Sequence, residues 1–139
     1  MAVVDHLEDS VPHPITVDPR PQVERGPDGL RRVTGRRCRS CGEVAAYTWP
    51  RCPSCRDAVE QASFGPDGTV WSATVVRIPV PGRTPPYALA YVDLDDGPRV
   101  LAHVRAPVDA ATATAPAIGS RVRLAACSAD GDIQVEVLA

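Results

Sequence analysis

The sequence predicts a mostly β protein in which a small metal-binding ribbon precedes a five-stranded barrel. The ribbon is predicted by two C-x2-C pairs, Cys38/Cys41 and Cys52/Cys55, with ten residues between them. The barrel is predicted by five β-rich segments beyond residue 68 that alternate with turn and proline-rich segments. A long break separates the third of these segments from the fourth, which is the second feature that points to a barrel.

The four cysteines form the ligand set of a structural Zn²⁺. Two thiolates two residues apart on a tight turn point the same way, and two facing turns complete a tetrahedron of sulfur ligands. Glycine readily adopts the left-handed backbone conformation that closes such a turn, so Gly42 suits the first turn. Arg56 follows the second pair, and the second turn is therefore expected to be less regular. Two disulfides or a redox C-x-x-C are the alternatives, although a redox motif needs only one pair and no βαβ pattern surrounds either pair.

Composition limits the classes of function. The chain has 139 residues, 44% of them hydrophobic, and a net charge of −2, which suits one ordinary domain or two very small ones. The charge argues against bulk attraction to nucleic acid or to an anionic membrane. No stretch approaches the roughly 18 apolar residues of a membrane-spanning helix, and the N-terminus lacks the features of a secretion signal. Cysteines at metal spacing in such a chain predict a cytoplasmic protein.

Residues 1–29 are proline-rich and are expected to be poorly ordered by themselves. A short helix at Ala2–Glu8, or an extended arrangement against a partner, is the alternative. Residues 30–63 are expected to form the zinc ribbon and residues 64–139 the barrel. Residues 57–63 suit either one helical turn or an irregular strand, and residues 64–68 read as a turn.

Positive charge is concentrated around the ribbon. Between positions 20 and 56, nine arginines face three acidic residues, whereas residues 57–139 carry six arginines and ten acids. Such a local basic patch would suit the phosphates of nucleic acid or of coenzyme A. Arg36, Arg37 and Arg39 are the candidates for the coenzyme A phosphates, and a solvated face without a ligand is the alternative.

The barrel segments have the alternation expected of strands. The predicted strands are residues 69–78, 87–94, 99–104, 121–127 and 133–138. Inward positions on the last two strands are held by aliphatic residues, namely Val122, Leu124, Ile133, Val135 and Val137. This layout is that of a small Greek-key OB barrel, with an open five-stranded sheet or an SH3-like barrel as the alternatives. Cys127 is expected on the fourth strand as a small buried hydrophobe.

Two segments carry exposed apolar material that predicts a protein contact. One is the proline-bounded loop of residues 79–87, and the other is the tip of residues 47–50 between the cysteine pairs. Rigid prolines and amphipathic aromatic residues lose little entropy on docking. The interface candidates are therefore Trp49, Pro85, Pro86 and Tyr87. The alternative is that Trp49 packs inside its own ribbon and the loop is merely exposed.

No catalytic residue is assigned from the sequence. His103 has no serine or free cysteine beside it, and the acidic residues of the barrel cluster in turns, where carboxylates are usually solvated. Four thiolate ligands leave no open position for water on a zinc ion, which argues against a zinc hydrolase.

The sequence resembles the zinc-ribbon/OB-fold partner proteins of thiolase-like enzymes, a family long carried as a domain of unknown function with a rubredoxin-like ribbon. The resemblance covers about residues 30–138. It rests on the motif R-C-R-S-C-G…R-C-P-S-C, on G-T-V-W-S-A-T-V-V-R-I-P, on P-Y-A-L-A-Y-V-D-L-D-D-G-P-R-V-L-A-H-V and on I-G-S-R-V-R-L. The cysteine motif alone is generic, and the second and third of these stretches make the resemblance specific.

The resemblance implies a non-catalytic accessory subunit. Members of the family bind thiolase-superfamily enzymes, so a hetero-oligomer with an acyl-CoA thioester at or near the interface is expected. They serve ketone-forming synthases, archaeal hydroxymethylglutaryl-CoA synthesis and aldolases that cleave steroid side-chain thioesters, which points to lipid metabolism or steroid degradation. Many begin with an aromatic-bearing helix, which proline-rich chain replaces here. The alternative is single-stranded nucleic-acid binding, for which the predicted strands offer only Trp71, Tyr87 and Tyr91 as stacking surfaces.

Overall fold

The computed structural model describes residues 20–105 and 114–139, and these residues form nine strands and no helix. The strands are β1 Val23–Arg25, β2 Arg31–Cys38, β3 Val44–Ala45, β4 Val59–Phe64, β5 Asp67–Val76, β6 Tyr87–Leu94, β7 Arg99–Val104, β8 Arg121–Leu124 and β9 Gln134–Val137. The predicted mostly β class is confirmed. The short helix considered at Ala2–Glu8 lies outside the described residues.

Strand β2 is the centre of the ribbon sheet. It pairs antiparallel with β4 along one edge and with both β1 and β3 along the other. β1 lies inside the segment that we expected to be poorly ordered, and β4 takes the strand alternative rather than a helical turn. Gly35 allows β3 to approach closely, because a Cβ at this position would lie 1.9 Å from the carbonyl oxygen of Ala45.

The barrel closes in the order β5-β6-β7-β9-β8. All neighbouring strands are antiparallel except β7 and β9, which run parallel. The strand that follows β7 in sequence, β8, pairs with β5, and β9 lies between β8 and β7. The OB barrel is confirmed over the open sheet, and closure leaves no bare sheet edge.

Three features of the barrel, two residues and one turn, depart from the sequence prediction. Strand β8 ends at Leu124, so Cys127 lies beyond the strand and is exposed rather than buried. Val137 is exposed although its alternation predicts an inward side chain. The pairing of β7 with β9 ends at Val135, so within the described residues no strand lies beside Val137 on that edge of β9. The predicted turn at residues 64–68 is shorter, because β5 begins at Asp67.

The ribbon and the barrel share one hydrophobic core. Val33 and Phe64 of the ribbon sheet belong to the same buried cluster as Val92, Val122 and other barrel residues. Gly97 in the β6–β7 turn lies directly against Phe64, since a Cβ there would be 2.7 Å from the Phe64 Cβ. The two modules are therefore packed together rather than tethered.

The described part of the chain contains no helix of sufficient length and apolar character to cross a membrane.

Candidate metal centre and adjoining groove

The four predicted metal ligands converge. The sulfur atoms of Cys38, Cys41, Cys52 and Cys55 all lie within 4.8 Å of one another. The Sγ–Sγ distance is 3.4 Å between Cys38 and Cys55 and 3.6 Å between Cys41 and Cys52. A tetrahedral ion with bonds of about 2.3 Å separates its sulfur ligands by about 3.8 Å, so the cluster has the size of a Zn²⁺ site. All four are free cysteines, which does not support the disulfide alternative.

The two cysteine turns have the same geometry. The Gly42 N–H donates to the Cys38 carbonyl at 3.1 Å, and the Arg56 N–H donates to the Cys52 carbonyl at 2.8 Å. Gly42 has a φ of 80° and Arg56 a φ of 65°. The expectation of a less regular second turn is therefore wrong. Arg56 accepts the left-handed conformation at a cost of about 1–2 kcal/mol, because the same turn must aim both sulfurs of its pair.

Electrostatics of the cluster favour a cation. The backbone N–H of Cys41 is the main cause that lowers the pKa of the Cys38 thiol to about 7. The backbone N–H of Asp57 acts in the same direction on Cys55, but contact with the Cys38 sulfur helps to raise the pKa of Cys55 to about 12. Close packing of the sulfurs therefore opposes ionisation of all four thiols, and a bound cation would relieve that repulsion.

The donor set fits a structural zinc ion. Four sulfur donors in a tetrahedral arrangement suit Zn²⁺. An ion bound by all four cysteines keeps no open position for water or substrate, so its contribution would be to stabilise the ribbon.

The candidate phosphate-binding arginines have separate partners. Arg36 and Arg37 are consecutive in β2 and so point to opposite faces of the sheet. Arg36 donates to the Gly35 carbonyl, whereas the Arg37 guanidinium lies 5.7 Å from the centre of the Phe64 ring. Arg39 follows the strand and pairs with Glu60 at 3.1 Å.

The interface candidates lie in two places. Trp49 is half-buried at the ribbon tip and stacks on the exposed Tyr47, with 6.3 Å between the ring centroids. Pro85, Pro86 and Tyr87 lead into β6 and are partly buried. The Tyr87 ring packs against a barrel side chain, His103, at a centroid distance of 5.4 Å.

A buried carboxylate, which sequence reasoning missed, joins distant segments of the chain. Asp132 is the one buried charged residue among those the structure describes, with 6% of its surface exposed. Arg83 from the β5–β6 loop bonds both of its carboxylate oxygens, and Arg20 approaches one oxygen to 3.0 Å. The expectation of solvated turn acids is wrong for Asp132. No local pattern pairs Arg83 with Asp132, because they are 49 positions apart.

This ion cluster shifts the pKa values of its members. The Arg83 guanidinium holds the pKa of Asp132 well below its usual range. Burial lowers the pKa of His103. The charge of Asp132 opposes this shift, and the charge of Arg83 adds to it. Arg83 lies 3.2 Å from the His103 Nε2 atom. The lowered pKa favours the neutral imidazole, and because a guanidinium only donates, Nε2 of the neutral ring would accept this hydrogen bond from Arg83.

A groove with a volume of about 420 Å³ runs beside this cluster. Its lining combines the charged residues with apolar side chains of β6 and β7, and Tyr47 of the ribbon tip borders it. The cysteine-bearing ribbon and the barrel thus both contribute to one concave surface.

Residues 60–126 match the family profile described as "ChsH2, C-terminal OB-fold domain". The matched region includes strands β5 to β8 of the barrel. The chain is 34% identical over 82 residues to the benzoylsuccinyl-CoA thiolase subunit BbsA of Geobacter metallireducens, which covers 58% of this chain and 56% of BbsA. It is 32% identical over 76 residues to a DUF35 domain-containing scaffold protein of Methanothermobacter thermautotrophicus, covering 52% of this chain and 57% of that protein. The chain thus matches little more than half the length of these curated relatives.

Two solved structures share the DUF35 fold. The Ltp2-ChsH2(DUF35) aldolase superposes with a TM-score of 0.58 at 22% identity, over 76% of this chain and 84% of that chain. A DUF35-family protein of unknown function from Sulfolobus solfataricus gives a TM-score of 0.55 at 17% identity, over 77% of this chain and 76% of that one. The family resemblance recognised in the sequence is confirmed.

Proposed function

We propose that this protein is a non-catalytic accessory subunit that binds a thiolase-superfamily enzyme in a hetero-oligomer. The observation that carries the proposal is the similarity of the chain to BbsA, which is named as a thiolase subunit. The fold shared with an aldolase component supports the same class of role. The partner would form or cleave carbon–carbon bonds in acyl-CoA thioesters, for example by retro-aldol cleavage of a steroid side-chain thioester in lipid metabolism.

The described residues support a role without chemistry of their own. A four-cysteine zinc centre has no position for substrate. His103 contacts Arg83, Asp132 and Tyr87, and within the described ranges it has no serine or cysteine as a bonded neighbour. Asp132 is committed to two guanidinium groups, so it does not orient His103 as a base in the way that a catalytic triad requires.

The subunit would act by holding its partner and the thioester. The zinc ion would stabilise the ribbon that carries Trp49, while Pro85, Pro86 and Tyr87 would extend the interface from the barrel. Arg36, Arg37 and Arg39 would lie nearer the phosphates of coenzyme A. Thiolate ligands are retained in a reducing compartment, which supports a cytoplasmic location.

Co-expression tests this proposal. The chain and a thiolase-superfamily protein from the same gene neighbourhood should co-purify as a stable complex that turns over an acyl-CoA substrate. The chain alone should show no turnover. Thioester cleavage or condensation by the homogeneous chain would contradict the non-catalytic role, and absence of binding at micromolar concentration would overturn the assignment.

Nucleic-acid binding is the second candidate, favoured by the exposed Trp71 and Tyr91 on the barrel. Single-stranded DNA or RNA is expected to bind weakly and to be released by roughly 0.2 M salt, because few phosphates would be neutralised. Submicromolar affinity that persists at that salt concentration would favour this candidate instead.

A further inference from the structure

One side chain holds the β5–β6 loop, residues 77–86, to the barrel. The structure describes this loop in full, and most of it is exposed: Ile78 retains 70% of its accessible surface. The bridge between Val80 and Arg83 is internal to the loop. Among these described residues, Arg83 is the one whose side chain forms hydrogen bonds with other parts of the chain. The position of the loop therefore depends on what the Arg83 guanidinium binds.

The Arg83 guanidinium contacts two acceptors through the same nitrogen atom. Its Nη1 atom bonds Oδ2 of Asp132 and lies 3.2 Å from Nε2 of His103. Its Nη2 atom bonds Oδ1 of Asp132 at 2.6 Å. A guanidinium can only donate hydrogen bonds, so its contact with His103 is a hydrogen bond only while Nε2 carries no proton. The loop position in the structure is therefore matched to a neutral His103 ring.

Protonation of His103 turns this contact into a repulsive one. Two N–H donors would then face each other across 3.2 Å, each on a positively charged group. The same Nε2 atom lies 3.7 Å from Oδ2 of Asp132, which is close enough for an ion pair. A charged imidazole therefore competes with Nη1 of Arg83 for one carboxylate oxygen, and Asp132 can exchange one partner for the other.

Other charged or titratable groups on the same surface come from β6, β7, β9, the turn before β9 and the segment before β1. They are Tyr87, Arg99, Arg105, Glu136, Asp130 and Arg20. The pairs Arg99–Asp93 and Arg105–Glu136 are formed away from the His103 ring nitrogens. Arg20 bonds Oδ1 of Asp132 rather than Oδ2. Arg83 is therefore the cation that a charged His103 opposes at the shortest range.

We propose that His103 is the proton sensor of a switch that releases the β5–β6 loop in mild acid. In the held state, Arg83 bonds both Asp132 and the neutral His103 ring. In the released state, Nε2 of His103 has taken one proton from solvent and pairs with Asp132, and Arg83 moves away with its loop. No covalent bond between heavy atoms changes, so the switch is reversible.

The direction of the switch follows from linkage. Burial lowers the pKa of His103, Asp132 raises it and Arg83 lowers it. Departure of Arg83 removes one of the two lowering causes, so the pKa is higher in the released state and proton uptake favours release. The transition is expected below about pH 6.5, the usual histidine value, and above about pH 4, where ordinary carboxylates titrate.

Release of the loop would alter the surface at the start of β6. The loop leads into Tyr87, whose ring packs on His103 at a centroid distance of 5.4 Å. Pro85, Pro86 and Tyr87 are interface candidates, so mild acid would weaken the contact with a partner enzyme. This consequence rests on the proposed function, whereas the switch itself is a property of the lone chain.

Nuclear magnetic resonance of the full lone chain measures both events. In a titration from about pH 7.5 to about pH 4.5, the His103 ring protons report its pKa. The amide signals and heteronuclear NOE values of Gly82, Arg83 and Thr84 should change with the same midpoint, and the NOE values should fall as the loop is released. The amide of Val92, which is fully buried in β6, should not change and so excludes general unfolding.

Three variants test the assignment to His103. His103→Gln offers Arg83 an acceptor that cannot be protonated, so the loop signals should stay constant over the window. The chain has three histidines, and His13→Gln is the matched control that should retain the transition. Arg83→Gln should raise the pKa of His103, because the coupling between the two groups is reciprocal. Each unit of that rise corresponds to about a tenfold shift in the loop equilibrium.

Two results would overturn the switch. One is a set of loop signals that stays constant, or changes with a different midpoint, while His103 becomes charged. The other is an unchanged His103 pKa in Arg83→Gln, which does not depend on how well His103→Gln folds. Failure of the chain to bind a thiolase-superfamily protein at any pH would defeat the proposed function and leave the switch standing.

Discussion

Arg83 and Asp132 form a bidentate ion pair across 49 positions of sequence, with an Nη2–Oδ1 distance of 2.6 Å. Arg83 belongs to the proline-rich β5–β6 loop, and Asp132 belongs to the turn before β9. The pair therefore fixes the loop against the barrel beside β7. Since that loop leads into Tyr87, an interface candidate, the pair determines where a proposed contact surface is presented.

Asp132→Asn should lower the free energy of unfolding by about 2 kcal/mol. Removing one member of a buried pair leaves the other charge uncompensated, but Arg83 and Arg20 are partly exposed, which reduces the cost. Urea unfolding followed by circular dichroism measures the change. Asp130→Asn, at an exposed neighbouring position, is the control and should unfold like wild type; equal stability of both variants would contradict the argument.

The same pair predicts loss of stability in acid. The folded pKa of Asp132 lies below its unfolded value of about 3.9. Its stabilisation is therefore fully present above that unfolded value and is lost as the pH falls towards the folded pKa. Unfolding measured at a series of pH values below about 4 should show a steeper decline for wild type than for Asp132→Asn. Parallel declines would show that Asp132 does not contribute in this way.

The pKa of His103 should lie below the usual value of a histidine side chain. Burial lowers its pKa, Asp132 opposes that effect and Arg83 reinforces it, so Asp132→Asn should lower the pKa of His103 further. Because the folded pKa is below the unfolded one, His103 contributes stability above about pH 6.5 and loses it as the pH falls. A proton NMR titration, with His103→Gln to assign the signal, measures both. A His103 pKa above 6.5 in wild type would contradict the prediction.

The metal centre should hold a single zinc ion per chain. Cys52→Ser should lose the zinc and unfold the ribbon, because binding of a structural ion is coupled to folding. Cys127→Ser is the matched control, since Cys127 is an exposed cysteine outside the cluster, and it should keep the zinc. Elemental analysis of reduced, folded protein gives the stoichiometry, and a value near zero in wild type would rule out the structural zinc.

Gly35→Ala should destabilise the ribbon sheet by about 3 kcal/mol. A Cβ at Gly35 would overlap the backbone of Ala45, and backbone atoms cannot move aside as the end of a side chain can. Thermal unfolding measures the loss. Gly82→Ala serves as a comparison: nothing lies within 4 Å of its Cβ, so only the strain of its positive φ opposes the substitution. A smaller loss for Gly35→Ala than for Gly82→Ala would contradict the close approach.

Trp49→Ala and Tyr87→Ala distinguish interface residues from core residues. Each is expected to weaken the complex with the thiolase-superfamily protein by about tenfold and to leave the melting temperature of the lone chain nearly unchanged. Both side chains are only partly buried, which allows their removal without a large cavity. Isothermal titration and thermal unfolding of the same samples provide the two measurements, and a lowered melting temperature would identify the residue as part of the core instead.

The sequence by itself determined the local features of this protein. Cysteine spacing identified the four cysteines that converge, because the two residues between the members of each pair place both sulfurs on one side of a tight turn. Period-2 alternation placed Val122, Ile133 and Val135 inside the barrel, and the position of the long connection indicated the OB order. Each of these depends on residues near one another in the chain or on the order of complete strands.

Only the tertiary structure decided the features that depend on distant neighbours. Asp132 is buried because Arg83 and Arg20 reach it from other segments, and Phe64 joins the barrel core because Gly97 leaves room for it. Arg56 takes a left-handed conformation where its turn faces a second turn across the cluster of four cysteines. Val137 is exposed because β7 ends its pairing too early to cover it. Barrel closure brings these distant side chains into contact. Local propensity and alternation carry no information about which distant side chains will meet.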